Sequence, residues 1–162
     1  MVTSNPMADL TGPVDVFAWA LHGHLIMTRG RLEHYRAGEF LGVLGCMGYN
    51  GRFGTQDDGV DGCTAQDYRF DFQQTIDITD ASRRVTIQPN DELRMVCEFN
   101  SIGRDDVTRA GFGSEDEMCQ MYIYTSPGEH VTTNFAFTSQ AVMTVDDDRG
   151  DAWEAEWWTP SG

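Results

Sequence analysis

The sequence predicts an all-β fold, an antiparallel β-sandwich or jelly roll of about eight strands. Three observations carry that expectation: short alternating or aromatic-rich runs recur along the chain, turn chemistry separates them, and no stretch shows a 3.6-residue apolar period with caps at both ends. The runs are residues 14–20 (VDVFAWA), 22–28, 40–44, 68–74 (YRFDFQQ), 84–88, 92–99 (ELRMVCEF), 119–125 (CQMYIYT) and 133–145. Turns are expected at Arg29-Gly30, Tyr49-Asn50-Gly51, Pro89-Asn90-Asp91 and Pro127-Gly128. The aromatic residues at 68–72 and 122–124 are expected to join the core. At 162 residues with 40% hydrophobic content, the chain reads as a single domain over residues 1–162. Residues 1–12 are expected to be a flexible N-terminal segment.

Residues 48–63 (GYNGRFGTQDDGVDGC) form the longest turn-like region, rich in Gly and Asp. Asp57, Asp58 and Asp61 do not match the spacing of a calcium-binding EF-hand loop, and the run reads as solvated, as does Asp146-Asp147-Asp148. Beyond it Trp153, Trp157 and Trp158 suggest a final strand docked on the core or an edge that another domain covers.

Net charge is −15, and all 11 basic residues are Arg. That field repels phosphate backbones and anionic lipid, so nucleic acid and membrane surfaces are excluded as partners. The N-terminus has neither a basic n-region nor a long apolar h-region. The cysteines fall as Cys46 and Cys63, then Cys97 and Cys119, which reads as two local bridges rather than a zinc site. A Cys46–Cys63 bridge would close the Gly/Asp-rich loop and contribute about 3 kcal/mol in the chain-entropy model. Bridges imply an oxidising compartment, hence a secreted, extracellular or periplasmic protein with its leader removed, or a piece of a longer secreted chain.

His22-Gly23-His24 is the sharpest local feature. On a strand, residues i and i+2 share a face, so the two imidazoles would converge on one ion, and Gly23 would leave the opposite face clear. A thioether added to two imidazoles makes a soft, open donor set that suits copper cycling between Cu(I) and Cu(II). With eight Met residues in the chain, spacing alone does not single one out.

Read together, Leu21-His22-Gly23-His24-Leu25, Glu33-His34-Tyr35-Arg36, Phe70-Asp71-Phe72-Gln73, Asn90-Asp91-Glu92-Leu93 with Cys97, Thr108-Arg109-Ala110-Gly111 and Glu117-Met118-Cys119 stand in an order that resembles a known family. It is the C-terminal, methionine-type copper domain of the type II copper, ascorbate-dependent monooxygenases, which include dopamine β-monooxygenase and peptidylglycine α-hydroxylating monooxygenase. The resemblance spans roughly residues 14–127. It implies that His22, His24 and Met118 hold one copper ion, with no catalytic residue assigned beyond these ligands. It also implies a Cys97–Cys119 bridge that steadies the Met strand. The implied activity is hydroxylation of a C–H bond of a small-molecule or peptide substrate by dioxygen, with electrons from ascorbate, a partner domain or a second chain. Tyr122 matches a substrate-contacting Tyr of the peptide branch, whereas packing within the sandwich is the plainer reading.

The chain also departs from that pattern. It has only four His in all, so the family's second, three-histidine copper site cannot be assembled here. Ala20 stands where the peptide branch places an Arg that holds the substrate carboxylate, and the family's long-range disulfide is missing. His34 matches a His of the dopamine branch and reads as structural, and His130 has no assigned role. Two alternatives to an enzyme domain stay open: a non-catalytic copper-binding module for storage, delivery or sensing, and a structural or interaction sandwich.

Overall fold

Period-two alternation of apolar and polar residues sets the inner and outer faces of two sheets. The computed structural model describes residues 2–7, 10–48, 63–64, 68–78, 80–132 and 141–142. In chain order the strands are β1 (Val2–Pro6), β2 (Val14–His22), β3 (Met27–Arg36), β4 (Glu39–Met47) and β5 (Cys63–Thr64). They continue with β6 (Thr75–Asp77), β7 (Val85–Ile87), β8 (Glu92–Phe99), β9 (Gln120–Ser126) and β10 (Ala141–Val142). Eight of these have three or more residues, and the arrangement is the antiparallel sandwich that the alternation implies.

One sheet runs β10-β1-β8-β3-β4-β5; the other is built around β2, which pairs with β6 and β7 along one edge and with β9 along the other. Leu93, Met95 and Cys97 alternate inward from β8, and Val14, Val16, Trp19 and Leu21 face them from β2. Full burial of each large aliphatic side chain stabilises by about 1.5–3 kcal/mol. Close approach of the sheets is set by two glycines. A Cβ on Gly45 would lie 2.6 Å from the ring of Trp19, and one on Gly30 would lie 2.7 Å from Leu21.

Gly30 is therefore a packing residue in mid-β3, and the turn expected at Arg29-Gly30 is absent. The chain reverses instead at Ala37-Gly38, where both residues take positive φ (52° and 83°) between β3 and β4. Pro89-Asn90 does form a turn, with Asn90 at φ 69°. Val2–Pro6, inside the stretch expected to be flexible, form β1 and pair with β8 in register. Of the aromatic residues expected in the core, only Tyr68 is buried (5% exposed); Phe70, Phe72, Tyr122 and Tyr124 are 41–49% exposed. They lie on turns or on the outward face of β9, because alternation does not say which face is inner.

Two expected strands are not strands. Residues 22–28 leave the ladder after His22, and 68–74 run as a turn. Both departures serve the site described next. Most of the Gly/Asp-rich loop, the 133–145 run outside β10, and the Trp-bearing C-terminus lie outside the described residues.

Candidate metal centre

β2 ends at His22 because side chains, not a neighbouring strand, take up the next backbone polar groups. The Tyr68 hydroxyl accepts from the Gly23 N–H (3.0 Å) and donates to the Gly23 carbonyl (2.5 Å). The buried Glu117 carboxylate accepts from the N–H groups of His24 (2.9 Å) and Ile26 (2.6 Å). Burial pushes the Tyr68 hydroxyl up to about 12, against the lowering effect of its bond to Gly23 and with a smaller contribution from the Glu117 charge. It therefore stays protonated as a donor across the neutral range.

Each imidazole is oriented through Nδ1. The Gln73 amide nitrogen donates to the Gly23 and Phe70 carbonyls (3.4 and 3.2 Å), which turns its oxygen toward His22 Nδ1 at 2.7 Å. An oxygen can only accept, so that nitrogen carries the hydrogen. Likewise His24 Nδ1 lies 2.9 Å from the Asp116 carbonyl and must donate to it. The Nε2 of each ring is left as a lone pair, with no hydrogen-bond partner among the described residues. This is how metal-binding histidines are oriented by their surroundings. The ring centroids are 5.4 Å apart, close enough for both nitrogens to reach one ion at about 2.0–2.1 Å each.

Met118 enters by register. β9 pairs with β2 through Ala20↔Tyr122, Leu21↔Met121 and His22↔Gln120, and Met118 lies two residues beyond the last of these pairs. Its carbonyl oxygen would lie 3.0 Å from a Cβ on Gly23, so the backbones are in contact. Gly23 does not clear an empty face as expected: a Cβ there would meet the Met27 thioether at 2.5 Å. The Cys97–Cys119 disulfide fastens the residue after Met118 to β8. Cys46 is also disulfide-bonded, and its register partner is Cys63, whose side chain lies outside the described residues.

Among the described residues no three His, Cys, Asp or Glu side chains converge. Among those residues a zinc or hard-cation site of that kind is not built. Two imidazoles with free Nε2 atoms, beside a Met, fit a soft metal. Tyr122 stands on the outer face, its ring centroid 6.1 Å from that of His22 and its hydroxyl donating to Gln120 Oε1 (3.1 Å). It is 49% exposed, so packing inside the sandwich is not its role.

The other two histidines are spent elsewhere. His34, 2% exposed, meets Asp91 at 2.6 Å, and His130 Nδ1 meets the Pro13 carbonyl at 2.7 Å. Tyr68, Gln73, Asp116 and Glu117 were not assigned roles from sequence. The visible signal is that Gln73 and Glu117 sit inside the Phe70-Asp71-Phe72-Gln73 and Glu117-Met118-Cys119 motifs without a packing reason.

The chain matches the family described as copper type II ascorbate-dependent monooxygenase, C-terminal domain, over residues 3–145. It is 30% identical over 125 residues to mouse DBH-like monooxygenase protein 1, covering 77% of this chain and 17% of that protein. It is 30% identical over 139 residues to mouse DBH-like monooxygenase protein 2, covering 86% of this chain and 18% of that protein. A 47-residue stretch is 40% identical to tyramine beta-hydroxylase of Caenorhabditis briggsae, covering 29% of this chain and 8% of that protein. The chain spans about a fifth of the length of the DBH-like relatives it matches, 17–21%.

Proposed function

Because the chain belongs to the copper type II ascorbate-dependent monooxygenase family, as its C-terminal domain, we propose that it binds one copper ion through His22, His24 and Met118. In this reading it is the oxygen-activating half of an enzyme that hydroxylates a C–H bond. The observation that carries the reading is the pair of imidazoles, both committed at Nδ1 and both open at Nε2. The copper, when bound, supplies reversible one-electron chemistry and an open position for dioxygen.

The chain's own residues do the rest by positioning. Tyr68 and Glu117 fix the turn that bears the histidines, and Gln73 and the Asp116 carbonyl fix the ring orientations. The Cys97–Cys119 bridge keeps the Met118 segment against β2. Tyr122 and Gln120, outward on β9 next to His22, contact the substrate. Reducing equivalents come from ascorbate through another domain or chain, since His34 and His130 are engaged in structural contacts. The Cys97–Cys119 bridge supports a reading of the protein as secreted or extracellular.

A second reading is a copper-binding module without turnover, for which the His22, His24 and Met118 set suffices. Copper titration with oxygen uptake in the presence of ascorbate and an added three-histidine partner domain separates the two. Met118→Ile, which keeps volume and deletes sulfur, should weaken Cu(I) binding by about 10–100-fold while the melting temperature holds. Unchanged Cu(I) affinity would remove Met118 from the ligand set.

A further inference from the structure

An edge strand presents unpaired backbone N–H and C=O groups, and proteins blunt such edges by keeping them short or by placing charge, Pro or a bulge in them. Among the described residues, three of the four sheet edges are blunted by shortness. The six-stranded sheet ends on β10 and β5, two residues each, and the β2 sheet ends on one side in β6 and β7, three residues each. The fourth edge is β9, seven residues long and so about 23 Å. It holds no charged residue and no Pro, and the slip in its ladder with β2 lies on β2, between Val16 and Ala18. Among the described residues nothing pairs with its outer edge.

The core is also incomplete along that edge. Trp19↔Ile123 and Leu21↔Met121 are register pairs, so the two members of each pair point to the same inner face. On β2 these members are covered, Trp19 at 0% and Leu21 at 2% exposed, whereas Ile123 and Met121 are only partly buried. One strand position separates the two conditions. What β9 lacks is a lateral neighbour with apolar residues at alternate positions.

A fitting strand must bring those residues without carboxylates, because a chain of net charge −15 repels acidic segments. β9 of a second copy meets both conditions. Laid antiparallel about a twofold axis at Ile123, it would set Ile123 opposite Ile123 and Met121 opposite Thr125 on the inner face, with Tyr122 opposite Tyr124 on the outer face. We propose that two copies of this chain associate through β9, which joins their four-stranded β2 sheets into one continuous sheet. The second copy's Tyr124 then stands beside Tyr122, whose ring lies 6.1 Å from that of His22, so the pairing extends the wall of the histidine site. The association itself does not rest on the copper reading.

The test is sedimentation equilibrium of the full chain free of copper, joined to amide exchange along β9. The contact is smaller than a standard interface, so the mass should rise from one copy toward two between about 10 μM and 1 mM. Amides on the outer edge of β9 should exchange more slowly over the same rise in concentration, a readout that needs no variant. Tyr122→Glu with Tyr124→Glu sets carboxylates opposite each other and should hold the chain as single copies. Tyr122→Glu with Tyr124→Arg sets opposite charges in the same register and should restore the pair. Both tyrosines are exposed, and thermal unfolding of each variant checks that it is folded. A chain that stays single at the highest concentration, a pair that survives the double glutamate change, or association that leaves β9 exchange unaltered would overturn the proposal.

Discussion

Two buried polar clusters, built around His24 and around His34, use the same side-chain types to opposite ends. His34 Nε2 faces Asp91, and Asp91 also accepts from Arg36 Nε (2.8 Å), Arg36 Nη2 (2.9 Å) and the Gln88 N–H (2.8 Å). The carboxylate there is fully engaged, and the cluster ties β3 to the turn before β8. Around His24 the carboxylate of Glu117 binds, among the described residues, backbone N–H groups only, so the ring is held by a carbonyl and Nε2 stays open. A cluster that consumes its donors and acceptors stabilises; one that leaves a lone pair open is available for chemistry.

The largest test of that contrast is at Asp91. Asp91→Ala leaves His34 without its carboxylate and should lower stability by about 3–5 kcal/mol, measured by denaturant unfolding. Copper affinity of the folded fraction should be unchanged. A loss of copper binding without a loss of stability would reverse the roles assigned to the clusters.

Next in size is Glu117→Gln, which keeps the shape but weakens the hold on the His24 and Ile26 N–H groups. Copper affinity should drop by about 10–100-fold, as for other residues that orient metal ligands. Amide hydrogen exchange at His24 and Ile26 should quicken in the copper-free protein. Unaltered exchange there would contradict the clamp.

The smallest effect is in acid. Burial alone would raise the Asp91 carboxyl, but hydrogen bonds from Arg36, the Gln88 N–H and His34 outweigh it and hold the group well below the usual range. A folded-state value below the unfolded one of about 3.9 means that stability is present above that pH and is lost as pH falls further. The melting temperature should therefore decline below about pH 4, and Asp91→Asn should flatten the decline. An acid slope unaffected by that substitution would assign the loss to other carboxylates.

Much of the fold was legible because alternation is a local property. β2, β8 and β9 each carry it within their own residues, and Trp19 and Leu21 announce their burial, whereas β3 lacks the alternation and runs through the turn expected at Arg29-Gly30. What could not be read locally was the break after His22. It depends on Tyr68, 45 positions away in the chain, and on Glu117, 93 away, which supply bonds that a neighbouring strand would otherwise make. The rings of His22 and His24 do lie close, 5.4 Å apart, but not as i and i+2 of one strand, because β2 ends at His22. Met118 could not be singled out by spacing: seven other Met residues share its chemistry, and its place just beyond the β2–β9 ladder is a matter of long-range strand pairing. A strand Tyr such as Tyr122 gives no sign in its own sequence of which sheet face it occupies.

X-ray absorption at the copper edge of the Cu(I)-loaded chain probes the ligand set itself. Two imidazole nitrogens and one sulfur scatterer are expected, with the sulfur lost in Met118→Ile and the imidazoles retained. A wild-type spectrum without sulfur, or one whose sulfur persists in that variant, would contradict convergence of His22, His24 and Met118 on one metal.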